Sequence, residues 1–288
     1  MNELEQSQDN IETNESVTES EQVVESEVSP KKTKTRFFVE GSLYTFLSVF
    51  GIVWLSFIFI FQVLLIPIQV SGVSMQPTIN LALENNEDDQ HRDIVYYSKE
   101  KSYLNNDIVI VENTDYKYVP YLETTDGNGN KIIQDVKYLI KRVVATGGQS
   151  IKFISLSNKT TASDLYYTIE VYKKHNSTGG QVKLTTSFIK EDMHFSFAYL
   201  SYLCTKYNTV NEIFSPMMNE HSFITGDTHN VYNVPKNTYF VMGDNRNNST
   251  DSRFFGPVSN SDMEGAVKLH VKYGETLFEA IWQKIKSA

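Results

Sequence analysis

The sequence predicts a mostly β protein, with an extracytoplasmic β-sheet or β-barrel-like domain that one N-terminal helix anchors in a membrane. Two observations lead to this fold class. A long apolar segment without any charged residue occupies positions 43–68. Short runs rich in Val, Ile and Tyr follow it, with turn residues between them. The first pattern is typical of a membrane-spanning helix, and the second indicates a sheet of short strands.

The chain begins with a polar segment that is predicted to be disordered. Residues 1–30 are rich in Glu, Ser, Asn and Gln and contain no aromatic residue, lysine or arginine. Such a composition cannot bury enough apolar surface to offset the entropy lost on ordering. A basic cluster of Lys31, Lys32, Lys34 and Arg36 follows directly. Residues 1–36 are therefore predicted to be an acidic cytoplasmic tail that ends in this cluster.

Residues 37–69 are predicted to form one transmembrane helix. The uncharged segment exceeds the roughly 20 residues that a helix needs to cross a bilayer. The preceding Lys/Arg cluster predicts a cytoplasmic N-terminus, which places residues 70–288 outside. A cleaved signal peptide would begin near the first residue, and a buried soluble helix is seldom apolar on every face. Both alternatives fit this segment less well than a membrane span.

After the span, six runs have the composition of β-strands and are bounded by turn residues. These runs cover residues 93–97, 106–112, 137–145, 166–174, 238–244 and 265–273. The stretch TDGNGN at 125–130 predicts a hairpin turn. Near the C-terminus, apolar residues at helical spacing predict an amphipathic helix too short to span, which packs on the domain or rests on the membrane surface.

The composition argues against several classes of site. The net charge of −9 argues against a nucleic-acid partner, because a surface that binds phosphates needs an excess of Lys and Arg. The single cysteine, Cys204, can form neither an internal disulfide nor a thiolate cluster. The six histidines have no metal-ligand spacing. We therefore expect no bound metal.

The first segment with possible chemistry is VSGVSMQPTI, directly after the span. Gly72 and Pro77 flank Ser74, so the serine lies in a tight turn. A fixed backbone can present both a nucleophilic hydroxyl and a main-chain N–H that receives an oxyanion. Taken alone, the segment favours a plain polar turn at a helix exit, because Ser, Gly and Pro are ordinary turn residues.

The second segment is YLIKRVVA, in which Lys141 and Arg142 interrupt an apolar strand. Side chains alternate along a strand, so one of the two basic residues points to each face. Burial of a lysine lowers its pKa, and a neutral lysine can act as a general base for a serine. The alternative is an edge strand on which the basic residue faces solvent.

The third segment is GDNRNNSTDSR, after the strand at 238–242. Its hydroxyl, amide and carboxylate groups can bind backbone and hold neighbouring side chains in place. In an extended segment, Asp251 and Arg253 would point to the same face and could brace each other in support of a site. The alternative is a solvated loop with a surface ion pair of little energetic weight.

Together the three segments resemble the bacterial type I signal peptidases, which are membrane-bound Ser/Lys endopeptidases, and most closely their Gram-positive members. The family's Ser-Met-x-Pro-Thr turn is present at residues 74–78, and its Lys-Arg-Val strand at 141–143. Its Gly-Asp-Asn-Arg-x-x-Ser-x-Asp-Ser-Arg segment is present without a gap at 243–253. The resemblance covers roughly residues 40–270, and the family carries a variable β domain where this chain has residues 152–235.

The resemblance implies a role for each matched residue. Ser74 is expected to be the nucleophile, Lys141 the general base, and Ser249 a hydroxyl that orients the lysine. Asp251 and Arg253 are expected to be structural braces. The other matched residues are expected to support the site: Gly72, Met75, Pro77, Arg142, Gly243, Asp244, Asn245 and Arg246.

The implied function is removal of N-terminal signal peptides from exported proteins at the cell membrane, without a cofactor. The expected partners are signal-peptide-bearing preproteins, the lipid bilayer and the secretion translocon. A self-cleaving Ser/Lys repressor would have a similar serine turn and lysine strand, but it would be soluble and carry a DNA-binding domain. A catalytically silent relative, acting in assembly of exported or surface proteins, is the alternative from another class. Retention of Ser74, Lys141 and Ser249 together argues against it.

Overall fold

The described chain consists of a long helix, two β-sheets, a short β-hairpin and several shorter helices. The structure, a computed structural model, describes residues 31–84, 91–120, 122–125, 131–134, 136–174, 181–184, 192–218 and 229–287. The chain separates into two units, with the division between Leu55 and Ser56. The tail at 1–30, predicted to be disordered, lies outside the described residues.

Helix α1 extends over Lys31–Phe59, and a π-helical turn, Ile60–Leu64, follows it. Within α1, Val39–Phe59 is long and apolar enough to cross a membrane by length and composition. The Thr45 hydroxyl donates to the carbonyl of Gly41 (2.8 Å) and the Ser48 hydroxyl to that of Tyr44 (2.7 Å). The hydroxyls of Thr45 and Ser48 are thus satisfied by the backbone of their own helix.

The helix ends earlier than the predicted boundary at residue 69. Leu65 is already extended, and Ile66–Gln69 form a β-strand. The physical reason is Pro67, which has no N–H for a helical bond and disfavours helical geometry at the preceding residue. The apolar character of this stretch therefore reflects a strand as well as a span.

The described β-strands are numbered in chain order. They are β1 (Ile66–Gln69), β2 (Ile94–Ser98), β3 (Ile108–Glu112), β4 (Leu122–Thr125), β5 (Lys131–Gln134), β6 (Tyr138–Thr146), β7 (Gln149–Ser155), β8 (Asp164–Lys174), β9 (Gln181–Leu184), β10 (Met193–Ser196), β11 (His229–Asn233), β12 (Thr238–Met242), β13 (Val258–Ser259) and β14 (Met263–Val271). All six predicted strand runs are confirmed. The hairpin is also confirmed as a pairing of β4 with β5, while its turn residues, 126–130, lie outside the described residues.

The main sheet is antiparallel and has the order β1-β2-β14-β3-β6-β12-β13. Its register shifts at three pairings, β12 with β6, β14 with β2 and β14 with β3. Such bulges bend strands and increase their twist. The end of β1 leads into the first of the three chemical segments, the middle of β6 carries Lys141 and Arg142 of the second, and the end of β12 leads into the third.

The predicted insertion forms a second sheet in the order β10-β8-β7-β11, with β9 paired to β8. The insertion begins with β7 at Gln149, three residues before the predicted start at residue 152, and it contains helices as well as strands. Two helices, α2 (Phe197–Lys206) and α3 (Asn208–Phe214), pack beside the sheet. Leu200 and Leu203 are buried in α2, and the Ser196 hydroxyl accepts from the N–H of Tyr199 at its start. The predicted β insertion therefore contains a β-sheet together with two helices, which form because apolar residues at helical spacing bury one face of each helix.

One hydrophobic core joins the two sheets. Phe153 of β7 packs against Phe240 of β12 with ring centroids 6.3 Å apart, and against Phe214 of α3 at 5.6 Å. Two further helices complete the described chain, α4 (Ser252–Phe255) and α5 (Leu277–Ser287). The predicted C-terminal amphipathic helix is α5.

Candidate active site

The serine turn, residues 70–80, follows β1 and holds Ser74 on a fixed backbone. Two backbone hydrogen bonds close it: Gln76 N–H to the carbonyl of Val73 (3.1 Å) and Ile79 N–H to that of Met75 (3.0 Å). The Met75 and Ile79 side chains are buried beneath the turn. The predicted close turn around Ser74 is therefore present.

Asn80 is a residue of this turn that the sequence analysis did not identify. Its side-chain amide donates to the carbonyls of Val70 (2.8 Å) and Gly72 (3.0 Å). Gly72 has a φ of +93°, a conformation that glycine adopts without strain. Asn80 in turn exchanges two hydrogen bonds with Asp93, at 2.7 and 2.8 Å. These bonds fix the chain immediately before Ser74.

Lys141 is the buried member of the basic pair on β6. Only 4% of this residue is exposed. Its Nζ donates to Ser74 Oγ at 2.9 Å. Burial lowers the pKa of Lys141 to about 8, because the charged amine has lost its hydration. The nearby carboxylate of Asp251 raises the pKa of Lys141, and the charge of the Arg253 guanidinium lowers it further.

Arg142 points to the other side of β6 and joins three parts of the site. Its guanidinium forms two hydrogen bonds with Asp244, from Nε to Oδ1 at 2.7 Å and from Nη2 to Oδ2 at 2.5 Å. Asp244 also accepts from the hydroxyl of Thr78 at 2.6 Å. Such a bidentate pair has a defined geometry. The β6 strand, the loop after β12 and the serine turn are thereby held together.

The loop after β12, residues 243–251, also binds the backbone around Ser74 directly. The Asn245 N–H donates to the carbonyl of Ser74 (3.1 Å), and its side-chain amide donates to that of Val73 (3.2 Å). The Arg246 side chain is buried and donates from Nε to the carbonyl of Gly243 at 2.8 Å. Burial, together with the charge of Arg253, lowers the pKa of Arg246 to about 10.

Ser249 does not make the expected hydrogen bond with Lys141. Its Oγ is buried and has no hydrogen-bond partner among the described residues. It is packed against Gly243 instead, where an added Cβ would lie 2.3 Å from Ser249 Oγ and 2.4 Å from the carbonyl oxygen of Ser74. Only a residue without a side chain fits between them. The orienting role of Ser249 remains a prediction.

Asp251 and Arg253 form a fully buried pair, as expected, but on a helical turn rather than an extended segment. Asp251 is the N-cap of α4 and accepts from the N–H of Arg253, which brings both side chains to one side. The pair is bidentate, with 2.8 Å from Nε to Oδ1 and 2.9 Å from Nη2 to Oδ2. Burial alone would raise the pKa of Asp251, but the charge and hydrogen bonds of Arg253, the charge of Lys141 and the Gly243 N–H together lower that pKa.

The pair also connects the site with the second sheet. Asp251 Oδ2 accepts from the N–H of Gly243 (3.1 Å), which fixes the start of the 243–251 loop. Arg253 donates from Nη1 to the hydroxyl of Tyr167 on β8 (2.9 Å) and from Nη2 to the carbonyl of Arg246 (2.6 Å). Tyr167 was missed by sequence reasoning, because nothing in its local pattern indicates a partner so distant in the chain.

A cavity of about 400 Å³ opens beside Ser74 and Lys141. One wall is the chain at 68–74 and the other is the chain at 136–141, with Ile110, Val119, Asn248 and Thr250 completing the lining. β12 pairs with β6 only from Arg142 onward, so in the part of the chain that the structure describes the same edge of β6 at 138–141 pairs with no strand beyond the end of β12. The arrangement can hold an extended chain beside the hydroxyl of Ser74.

The comparisons with known proteins agree with these segments. A family model described as "Signal peptidase, peptidase S26" matches residues 43–272. A signal peptidase I of Aquifex aeolicus (strain VF5) is 28% identical over 141 residues, which cover 44% of this chain and 53% of the relative. A signal peptidase I of Buchnera aphidicola subsp. Schizaphis graminum (strain Sg) is 28% identical over 152 residues, which cover 46% of this chain and 49% of the relative. The chain thus spans about half the length of the curated relatives it matches.

A solved structure was also matched, a signal peptidase I from Enterococcus faecalis V583. It is 17% identical, with 59% of this chain and 100% of that chain covered and a TM-score of 0.28. The matched interval of the family model is the stronger finding, because it includes the serine turn, β6 and the 243–251 loop. On this match over most of its length, the chain belongs to the signal peptidase family, peptidase S26.

Proposed function

We propose that this chain is a membrane-bound serine endopeptidase that cleaves N-terminal signal peptides from exported proteins with a Ser74/Lys141 dyad. The observation that carries the proposal is the 2.9 Å contact of Lys141 Nζ with Ser74 Oγ, made by a buried lysine whose pKa is lowered to about 8. A nucleophile within hydrogen-bond reach of a base with a pKa near the working pH meets both requirements for an activated serine.

The reaction follows from this contact. Deprotonated Lys141 accepts the hydroxyl proton of Ser74 while the serine oxygen attacks the scissile carbonyl carbon. The lysine then returns the proton to the leaving amine as the peptide bond breaks, which leaves an acyl ester on Ser74. A water molecule, deprotonated by the same lysine, hydrolyses the ester. The backbone N–H of Ser74 is the proposed donor to the oxyanion, and the backbone of the serine turn holds it in place.

The cavity supports an extended peptide substrate. The open edge of β6 at 138–141 offers main-chain groups to a bound strand, a mode of recognition that gives affinity independent of side chains. The lining is largely apolar, with Ile68, Val70, Ile110 and Ile140 among its residues. Secretory signals end in small residues of the A-x-A type, which suit a shallow apolar site.

Helix α1 supports the membrane location. The apolar stretch Val39–Phe59 ends shortly before β1, so the proposed nucleophile, Ser74, lies close in sequence to the proposed span. The basic cluster at 31–36 favours a cytoplasmic N-terminus and a catalytic domain outside. The proposed partners are signal-peptide-bearing preproteins, the bilayer and the secretion translocon.

The test is cleavage of a purified preprotein by the detergent-solubilised full-length chain. Wild type and Ser261→Ala, which changes an exposed serine of the same domain, should release the signal peptide, and Ser74→Ala should not. Cleavage by Ser74→Ala at the wild-type rate would refute the dyad. Failure of the wild type to cleave would favour the second candidate, a catalytically silent member acting in assembly of surface proteins.

A further inference from the structure

A buried carboxylate with no part in the dyad connects the serine turn with strand β14. Asp93 lies directly before β2, and only 2% of it is exposed. Its Oδ2 accepts from the N–H of Asn80 at 2.7 Å and lies 2.6 Å from Nε2 of His270. Its Oδ1 accepts from the N–H of Tyr273 at 2.8 Å. Three donors from two distant parts of the chain therefore converge on one carboxylate.

Asp93 is charged in this buried position. Burial alone would raise the pKa of Asp93. The hydrogen bonds from His270 and from the N–H groups of Asn80 and Tyr273 lower it instead. An ionised carboxylate only accepts hydrogen bonds, so His270 is the donor of the 2.6 Å contact, through Nε2–H. Loss of this donor would leave a buried charge short of a partner, which is costly.

Asn80 connects Asp93 with the backbone of the serine turn. The N–H of Asp93 donates to Asn80 Oδ1 at 2.8 Å, and the Asn80 amide donates onward to the carbonyls of Val70 and Gly72. The carbonyl of Asp93 also accepts from the N–H of Val70 at 3.0 Å. Gly72 is two residues before Ser74, whose N–H is the proposed donor to the oxyanion. A displacement of Asp93 would therefore reach the turn through two separate contacts.

Strand β14 gives His270 a fixed position. The strand lies inside the main sheet between β2 and β3, and His270 stands opposite Val95 of β2 in the register. Among the described residues, Asp93 is the only side chain to which His270 is hydrogen-bonded. Neither His270 nor Asp93 belongs to the lining of the cavity beside Ser74. Any effect of His270 on the reaction would therefore pass through Asp93.

We propose that His270 is a positioning residue for the cleavage reaction, which fixes the Asp93 carboxylate and thereby the backbone around Ser74. This inference rests on the proposed function, in which Ser74 is the nucleophile. Through Asn80, movement of the carboxylate would shift the serine turn relative to Lys141, which stands on a different strand. A misplacement of about 1 Å at a reacting group can cost about 100-fold in rate.

The experiment compares His270→Leu with His270→Gln in the detergent-solubilised full-length chain. Leucine has no donor, whereas the side-chain amide of glutamine can still donate to Asp93. The matched control is His194→Leu, the same substitution at an exposed position on β10. Cleavage of a preprotein is measured at a temperature at which thermal unfolding shows every variant to be folded.

The expected result is a loss in kcat that a hydrogen-bond donor restores. His270→Leu should lose roughly 10- to 100-fold in kcat with KM little changed, because the turn presents the reacting groups and not the bulk of the binding surface. His270→Gln should regain most of the loss, and His194→Leu should behave as wild type. Wild-type kcat in His270→Leu, or an equal loss in His270→Gln, would overturn the proposal.

A double-mutant cycle with Asn80→Gly tests the route. Asn80 has a φ of +62°, which glycine adopts without strain, and the variant keeps the backbone N–H while losing the amide that holds Val70 and Gly72. In this background His270→Leu should cost much less in kcat than in wild type, because the connection is already broken. The same fold-loss in both backgrounds would overturn the route through Asn80.

Amide hydrogen exchange separates this inference from the proposed function, because it needs no substrate. In His270→Leu, the amides of the serine turn should exchange faster than in wild type, and those of β8 should exchange at the same rate. A wild type that cleaves no preprotein refutes the proposed function. A wild type that cleaves, with exchange of the turn unchanged in His270→Leu, refutes this inference alone.

Discussion

The proposed base makes a quantitative prediction for the dependence of activity on pH. With the pKa of Lys141 lowered to about 8, the neutral fraction is about 1% at pH 6, about 10% at pH 7 and about half at pH 8. A lysine base acts only when deprotonated, so kcat/KM should rise roughly tenfold per pH unit below pH 7 and level off above pH 8. From pH 6 to pH 8 the expected gain is roughly 50-fold.

The assay measures kcat/KM for a signal-peptide substrate in detergent from pH 5.5 to 9.5. Thermal unfolding over the same range serves as the control for loss of fold. Lys141→Arg should be inactive throughout, because the guanidinium stays protonated over this range. A profile that is flat between pH 6 and 8 would refute the reasoning, as would a rise centred near the ordinary lysine pKa of 10.5. Substantial activity in Lys141→Arg would refute the base assignment itself.

Four other perturbations test separate parts of the structure. Lys141→Met should raise Tm at neutral pH. The pKa of Lys141 is lower in the folded than in the unfolded chain, so keeping this lysine protonated on folding lowers the free energy of unfolding by about 3 kcal/mol at neutral pH, and this loss shrinks as pH rises from about 8 to 10.5. An unchanged Tm would contradict this. Gly243→Ala should abolish activity, because its Cβ would lie 2.4 Å from the Ser74 carbonyl oxygen, and normal turnover would disprove that crowding. Ser249→Ala should lose turnover at a near-unchanged Tm. Asp251→Ala should lose turnover and also about 3–5 kcal/mol of stability in denaturant unfolding, because Arg253 is left buried without its partner. The reverse pattern would mean that the two roles are exchanged. Protease added outside intact cells should digest the domain and spare an epitope on the first 30 residues, and loss of that epitope would show the opposite orientation.

The strands and the two central residues of the site could be predicted from the sequence. Strand runs were found because Val, Ile and Tyr recur between turn residues, and Lys141 stood out because a charge inside an apolar run is unusual. The end of the span was misplaced because an apolar run has the same composition in a helix and in a strand. Pro67 was the one local signal of the change.

The remaining details depend on contacts between distant parts of the chain. Helices α2 and α3 were missed because Ser196 is one serine among many in a Ser- and Thr-rich stretch, and only packing selects it as a cap. The environment of Ser249 depends on how closely Gly243 approaches it, which no local pattern encodes. Likewise, the role of Asn80 follows from tertiary contacts with Asp93 and the serine turn.

The hydrogen bond between Tyr167 and Arg253 limits how freely the second sheet can be altered. Because Tyr167 lies on β8 and Arg253 stands directly behind the site, the second sheet is not a detachable module. The shared packing of Phe153 with Phe240 makes the same connection through the core. Grafts or deletions that remove β7 or β8 would take away the packing of Phe153 or the Tyr167 partner of Arg253, whereas the connection between β8 and β10 carries no contact to Arg253 among the described residues. Domain exchange with other members of the family would therefore have to keep β7 and β8 and vary the chain between β8 and β10.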